Sequence, residues 1–178
     1  MRVIAGRYRG RRLRTPRGHT TRPSAERVRE AVFSILGDIE GLSVLDLFAG
    51  SGMLGIEALS RGARDCVFVD SDPRAAACIR SNLATLGVTA AVSVRDAVAY
   101  VREAAAAHSD RFDVVFVDPP YRLAAVVVGP LCDNLPALTS DNARIVFESD
   151  KRTELKPNLM VLRERTYGDT RITICSVT

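Results

Sequence analysis

The 178-residue chain has no tryptophan, two histidines, four cysteines and, among its 25 basic residues, only two lysines, Lys151 and Lys156. Each shortage removes a class of chemistry. His19 and His108 have no ligand-type neighbours in sequence, and Cys66, Cys78, Cys132 and Cys175 form no C-x-x-C pair. Neither a metal site nor a disulfide framework is therefore expected. No apolar run approaches the ~20 residues of a membrane span. Met1-Arg2-Val3-Ile4-Ala5-Gly6-Arg7 has no apolar stretch after its charge, so no signal peptide is expected either. A reducing, cytoplasmic setting fits the scattered thiols. Internal repeats and linkers are missing too, and one main domain with a short N-terminal extension follows.

Arginine is what the chain has in quantity. Arg2, Arg7, Arg9, Arg11, Arg12, Arg14, Arg17 and Arg22 all precede the first acid, Glu26, and the net charge is +4. Residues 1–22 read as a basic β-hairpin or arm, strand-like at Val3-Ile4-Ala5, with Gly6 and Gly10 bracketing a turn. Such an arm is either a solvated extension or a phosphate-contacting element. The clustering favours the second, with Arg7, Arg9, Arg11, Arg12 and Arg22 as the phosphate-contacting candidates.

Residues 23–178 alternate strand with helix. Pro23-Ser24 opens a helix whose apolar positions Val28, Ala31, Val32, Ile35 and Leu36 share one face. Strands follow at Val44–Phe48, Cys66–Asp70, Ala91–Val94, Asp113–Val117 and Ala143–Glu148. Helices lie between them at Gly52–Arg61, Asp72–Leu86, Ala97–Ala107 and about Ala124–Leu135. The tail differs: Leu159–Thr166 and Arg171–Val177 flank a turn at Tyr167-Gly168-Asp169-Thr170. The pattern predicts an α/β fold of Rossmann-like type, a mostly parallel seven-stranded sheet with helices on both faces and an antiparallel C-terminal hairpin. In such sheets ligands bind beyond the carboxyl ends of the strands, at the switch point of strand order.

The strand ends carry the informative residues. After the first strand, Gly50, Gly52 and Gly55 match G-x-G-x-x-G, and Asp70, 20 residues beyond Gly50, ends the second strand, where a carboxylate can accept both hydroxyls of an adenosine ribose. A nicotinamide-dependent dehydrogenase would share both features. Asp46 separates the two cases, because its charge at the mouth of the glycine turn would repel a pyrophosphate. S-adenosylmethionine carries an ammonium and a sulfonium and no phosphate. Asp46 can also bond to loop N–H groups, and the two roles can coexist. Asp96, after the third strand, is either a helix N-cap or an acceptor for the adenine amino group, while Asp72 reads as a cap alone.

The fourth strand ends Asp118-Pro119-Pro120-Tyr121. Two prolines force the chain out of the sheet and fix its φ angles. The Pro119 carbonyl and the Asp118 carboxylate then offer two acceptors to the two hydrogens of an –NH2 group, and Tyr121 offers a flat face for a base.

This segment, together with Asp46–Gly52, resembles the amino-group methyltransferases of Rossmann type. Arg2-Val3-Ile4-Ala5-Gly6, Arg9-Gly10-Arg11-Arg12-Leu13, and Thr21-Arg22-Pro23-Ser24 through Arg27–Phe33 narrow the likeness. They resemble the RsmD family, which methylates N2 of a guanine in 16S ribosomal RNA. The likeness runs along nearly the whole chain; Ser24 departs from the threonine frequent there. It implies a catalytic segment Asp118, Pro119, Pro120 and Tyr121. It also implies an S-adenosylmethionine site built from Asp46, Phe48, Ala49, Gly50 and Gly52, from Asp70 and Ser71, from Asp96 and Ala97, and from Asp118. The implied partner is 16S rRNA of the small ribosomal subunit, with the target base flipped into the pocket, and a monomer is expected. The alternatives are a DNA adenine or cytosine amino-methyltransferase, for which the chain leaves little room for a target-recognition domain, and a protein glutamine methyltransferase, which typically has Asn at position 118. A non-catalytic RNA-binding assembly factor would not need Asp46, Asp70, Asp118 and Tyr121 together.

Overall fold

The computed structural model describes residues 1–15, 23–107, 111–153 and 155–177, with residues 23–25 described for their backbone alone. Its elements in chain order are α1 (Pro23–Leu36), β1 (Ser43–Leu47), α2 (Met53–Ser60), β2 (Asp65–Asp70), α3 (Pro73–Leu86), β3 (Ala91–Val94), α4 (Ala97–Ala106), β4 (Phe112–Val117), α5 (Tyr121–Asn134), a 3-10 turn (Leu135–Leu138), β5 (Thr139–Asp150), β6 (Met160–Tyr167) and β7 (Thr170–Ser176). They form one seven-stranded sheet in the order β3-β2-β1-β4-β5-β7-β6. β1 to β5 pair in parallel, and β7 runs antiparallel between β5 and β6. β1 lies between β2 and β4, so strand order reverses at the β1–β4 seam, where this fold class places its ligand.

The central strands are apolar because both faces are covered. Val44, Phe116 and Val146 point to one face and pack with Val32 and Phe33 of α1, Ile56 of α2 and Ile79 of α3. Leu45, Val115, Val117 and Phe147 point to the other and pack with Val101 of α4 and with Ala124, Val128 and Leu131 of α5. Alternation along each strand thus divides one sheet between two cores.

Two elements differ from the sequence reading by more than one residue at an end. α5 begins at Tyr121 rather than near Ala124, because Pro120, at φ −51° and ψ 134°, serves as its N-cap and proline is tolerated at a helix start. β5 extends to Thr139 and Asp150, because it pairs with β4 at Phe112↔Thr139 and with β7 out to Asp150↔Thr170.

The N-terminal segment is a short hairpin. Arg2 bridges Arg12, and the Val3 N–H donates to the Arg11 carbonyl at 3.0 Å. It is bolted to α2. Glu57, fully buried, accepts from the Ile4 N–H at 2.8 Å and the Ala5 N–H at 3.0 Å. The same carboxylate faces Arg61 Nε at 2.9 Å and Arg29 Nε at 3.7 Å. Gly6 is required at the crossing: its φ is +78°, and a Cβ there would stand 1.8 Å from the Ser60 carbonyl oxygen.

Candidate active site

Register gathers the strand ends. Leu47 lies beside Val69 and Val117, and Val117 lies beside Phe147. The next residues on these four strands are Phe48, Asp70, Asp118 and Glu148, so three carboxylates share one edge of the sheet.

The loop after β1 turns sharply. Phe48 has φ 60°, the sole positive φ of a non-glycine among the described residues, and Gly50 and Gly52 follow at 56° and 77°. A side chain in this region of φ costs of order 1–3 kcal/mol and persists when its surroundings enforce it. Here the Ala49 N–H donates to the Val69 carbonyl at 3.1 Å, and Asn82 Nδ2 donates to the Ser51 carbonyl at 3.1 Å. Gly55 lets α2 press on β2, since a Cβ at that position would lie 2.4 Å from Phe68 Cε1. A Cβ at Gly50 would meet only the Phe48 carbonyl oxygen, at 3.9 Å, so the loop has room for a ligand's close approach.

Asp46 lies beneath this loop, 2% exposed, and its Oδ2 accepts from the Gly55 N–H at 2.9 Å. Burial pushes its pKa up to about 8; the Gly55 N–H opposes the shift, and the charges of Asp118 and Asp70 add to it. A cation brought to the loop would relieve that cost.

Asp70 is half-buried. Its Oδ2 accepts from the Gly50 N–H at 2.7 Å and its Oδ1 from the Asp72 N–H at 2.8 Å. These bonds fix the carboxylate while leaving each oxygen a second lone pair. Ser71 is exposed next to it. Asp72 caps α3 by accepting from the Arg74 N–H at 2.8 Å. Asp96 caps α4, accepting from the Ala99 N–H at 2.9 Å, with Ala97 buried beside it. The Arg95 N–H donates to the Asp70 carbonyl at 3.0 Å, so the β3 end adjoins the β2 end.

Asp118 is half-buried and makes no hydrogen bond or ion pair with any described residue. Burial raises its pKa. Pro119 is buried, Pro120 exposed, and the Pro120 carbonyl accepts from the Leu123 N–H at 2.7 Å. Tyr121 is 49% exposed and adjoins Thr170, the first residue of β7. Sequence reasoning missed Thr170 and Glu148 as members of this corner. Glu148 was already legible as the last residue of a strand, and the rule applied to the other strand ends would have found it.

Residues 1–176 match the family described as Conserved hypothetical protein 95. Ribosomal RNA small subunit methyltransferase D of Haemophilus influenzae is 36% identical over 176 residues, covering 94% of this chain and 89% of that protein. The chain belongs to the RsmD family. YlbH of Bacillus subtilis is 42% identical over 182 residues, 98% of this chain and 97% of its own length. Among solved structures, a hypothetical protein of Thermus thermophilus superposes with a TM-score of 0.86 at 32% identity and 99% coverage of both chains. The seven-stranded sheet described above is a Rossmann-like methyltransferase fold.

In this RsmD-family chain Arg7 and Arg9 stand apart from the strand-end carboxylates. The turn bearing Arg7 and Arg9 docks on the last turn of α2: the Arg7 N–H donates to the Ser60 carbonyl at 2.7 Å. The glycine loop is at the other end of that helix, roughly 12 Å away along its axis at 1.5 Å per residue. Arg7, Arg9, Arg11 and Arg12 are all exposed, and Arg11 Nη2 reaches the Thr85 carbonyl at 3.2 Å. A shallow groove between the hairpin and α1 adds Arg27 to Arg2 and Arg9, with Glu26 and Glu30 on its wall. Arg22 lies outside the described residues.

Proposed function

We propose that this protein transfers a methyl group from S-adenosylmethionine to the exocyclic N2 amino group of a guanine in 16S ribosomal RNA. The observation that carries the reading is the placement of Asp118-Pro119-Pro120-Tyr121 beside the Phe48–Gly52 loop at the switch point of the sheet. Amino-group chemistry and a cofactor cradle meet there.

When bound, S-adenosylmethionine supplies an electrophilic methyl group. Asp70 is suited to its ribose hydroxyls, Asp46 to the positive charge, and the glycine loop to close backbone approach. Phe48, Ala49, Ser71, Asp96 and Ala97 complete the cradle. The nitrogen of a guanine amino group is a poor nucleophile because its lone pair is delocalised into the ring. Asp118 and the Pro119 carbonyl each accept one of its hydrogens, favour a more tetrahedral nitrogen and aim the lone pair. As the N–C bond forms and the S–CH3 bond breaks, S-adenosylhomocysteine leaves and the nitrogen gives up one proton, to the Asp118 carboxylate or to water. Positioning of this kind is the main source of acceleration. Tyr121 supports the flipped base from its face. The hairpin within residues 1–15, docked on α2, holds the RNA backbone.

The direct test is methyl transfer from labelled S-adenosylmethionine to extracts of a strain lacking the protein. Label should enter the RNA of the small subunit, and label in DNA or ribosomal protein instead would overturn the reading. Two further outcomes test its parts. Asp70→Ala should weaken S-adenosylmethionine binding by roughly 1.5–3 kcal/mol, the range for hydrogen bonds to a charged group; unchanged calorimetric affinity would remove Asp70 from the ribose role. Replacing Arg7, Arg9, Arg11 and Arg12 with alanine should weaken RNA binding and flatten its salt dependence by about 0.7 log units for each phosphate no longer neutralised on single-stranded RNA. Cofactor affinity should not move, and an unaltered salt slope would make the hairpin a solvated extension only.

A further inference from the structure

We propose that Glu148 selects guanine over the other amino-bearing bases by accepting a hydrogen bond from the ring N1–H that neighbours the target amino group. The inference rests on the reading of Asp118 as the holder of that amino group.

Glu148 follows Phe147 on β5 as Asp118 follows Val117 on β4, and those two residues are register partners. Adjacent strands lie about 4.8 Å apart. Phe116 and Val146 point into one core, Val117 and Phe147 into the other, so Asp118 and Glu148 both turn to the side on which Asp46 lies. Glu148 is half-buried and forms no hydrogen bond or ion pair with a described residue. Its oxygens are not sealed off, so it stands as an acceptor with nothing to accept from. Tyr121 feels the charge of Glu148 more strongly than that of Asp118, so the stacking ring, too, adjoins Glu148. A base resting on Tyr121 with its amino group at Asp118 turns its neighbouring ring nitrogen toward Glu148.

That ring nitrogen is what distinguishes the candidate bases. Guanine presents N1–H, a donor, beside its amino group. Adenine presents N1 and cytosine N3, both bare lone pairs, beside theirs. Two carboxylates alone repel, and burial together with the charge of Asp118 raises the pKa of Glu148. Guanine brings hydrogens to both and favours their charged forms, whereas adenine or cytosine would turn a lone pair on Glu148. A buried acceptor left unmatched is a strong basis for rejection.

The test compares target RNA carrying guanine with the same RNA carrying 2-aminopurine at that position, a base that keeps the amino group and lacks the N1 hydrogen. Single-turnover methyl transfer by the wild-type protein should favour guanine roughly 100-fold or more. Glu148→Gln, whose amide can donate to a bare nitrogen, should shrink that ratio at least about tenfold, with unchanged S-adenosylmethionine affinity and thermal unfolding as controls for the fold. Glu148→Ala should shrink it as well. A ratio in both variants equal to that of wild type overturns the role of Glu148. Absence of any methyl transfer to guanine by the wild type overturns instead the reading on which it rests.

Discussion

Asp118→Ala is expected to slow single-turnover methyl transfer by tens-fold to several hundred-fold, on the order of 2–4 kcal/mol of transition-state stabilisation, with RNA affinity nearly unchanged. Asp118 makes no hydrogen bond or ion pair with a described residue, so its removal takes away an acceptor at the proposed reaction centre and no polar contact of the fold. The RNA backbone is assigned to arginines at the far end of α2. Asp118→Asn should lose less, because its amide oxygen still accepts one hydrogen. Tyr121→Ala should cost somewhat less than Asp118→Ala, since apolar neighbours can replace part of a stacking face. Tyr121→Phe keeps the flat face and should be nearly silent. Positions 118 and 121 are proposed to touch one base, so their effects should not add. A near-normal single-turnover rate for Asp118→Ala would reduce Asp118–Tyr121 to a stiff strand exit.

Glu57→Ala carries the largest expected effect on stability, about 3–5 kcal/mol, the cost of breaking a buried charge network from one side. The single carboxylate holds two backbone N–H groups of the hairpin and faces two arginines. Without it, Arg29, itself 4% exposed, would lose its main counter-ion and keep only the weaker influence of Glu26. Arg61 is more exposed and recovers solvent. The loss should appear as a lower denaturant midpoint with faster amide exchange at Ile4 and Ala5. Glu57→Gln should be milder, because its oxygen still accepts one of the two N–H groups. Wild-type stability and unchanged exchange at Ile4 and Ala5 in Glu57→Ala would show that the hairpin docks by other contacts.

The sheet and most of the candidate site were legible because both rest on local rules. Apolar runs bounded by Gly50, Gly87 and Asp118 marked the strands, and each strand end led to a carboxylate. Asp72 was recognisable as a cap from its own neighbours. Glu57 was not legible: in sequence it is an ordinary i,i+4 partner of Arg61 on a helix, and its bonds to Ile4 and Ala5 span more than fifty residues. The start of α5 was placed too late because Pro119-Pro120 read only as an exit from the sheet, whereas proline also suits a helix start. Glu148 was seen as the end of a strand but not as part of the site, because its neighbour Asp118 is 30 residues away in the chain and meets it only through the β4–β5 pairing.

The measurement that bears most directly on the account is the identity of the methylated nucleoside. Small-subunit RNA from a strain lacking the protein, incubated with the purified protein and labelled S-adenosylmethionine, digested to nucleosides and separated by mass, should yield the label in N2-methylguanosine at one position, and Asp118→Ala should abolish most of it. Label recovered in a methylated adenosine or cytidine, or in a ring-nitrogen methylguanosine, would contradict it.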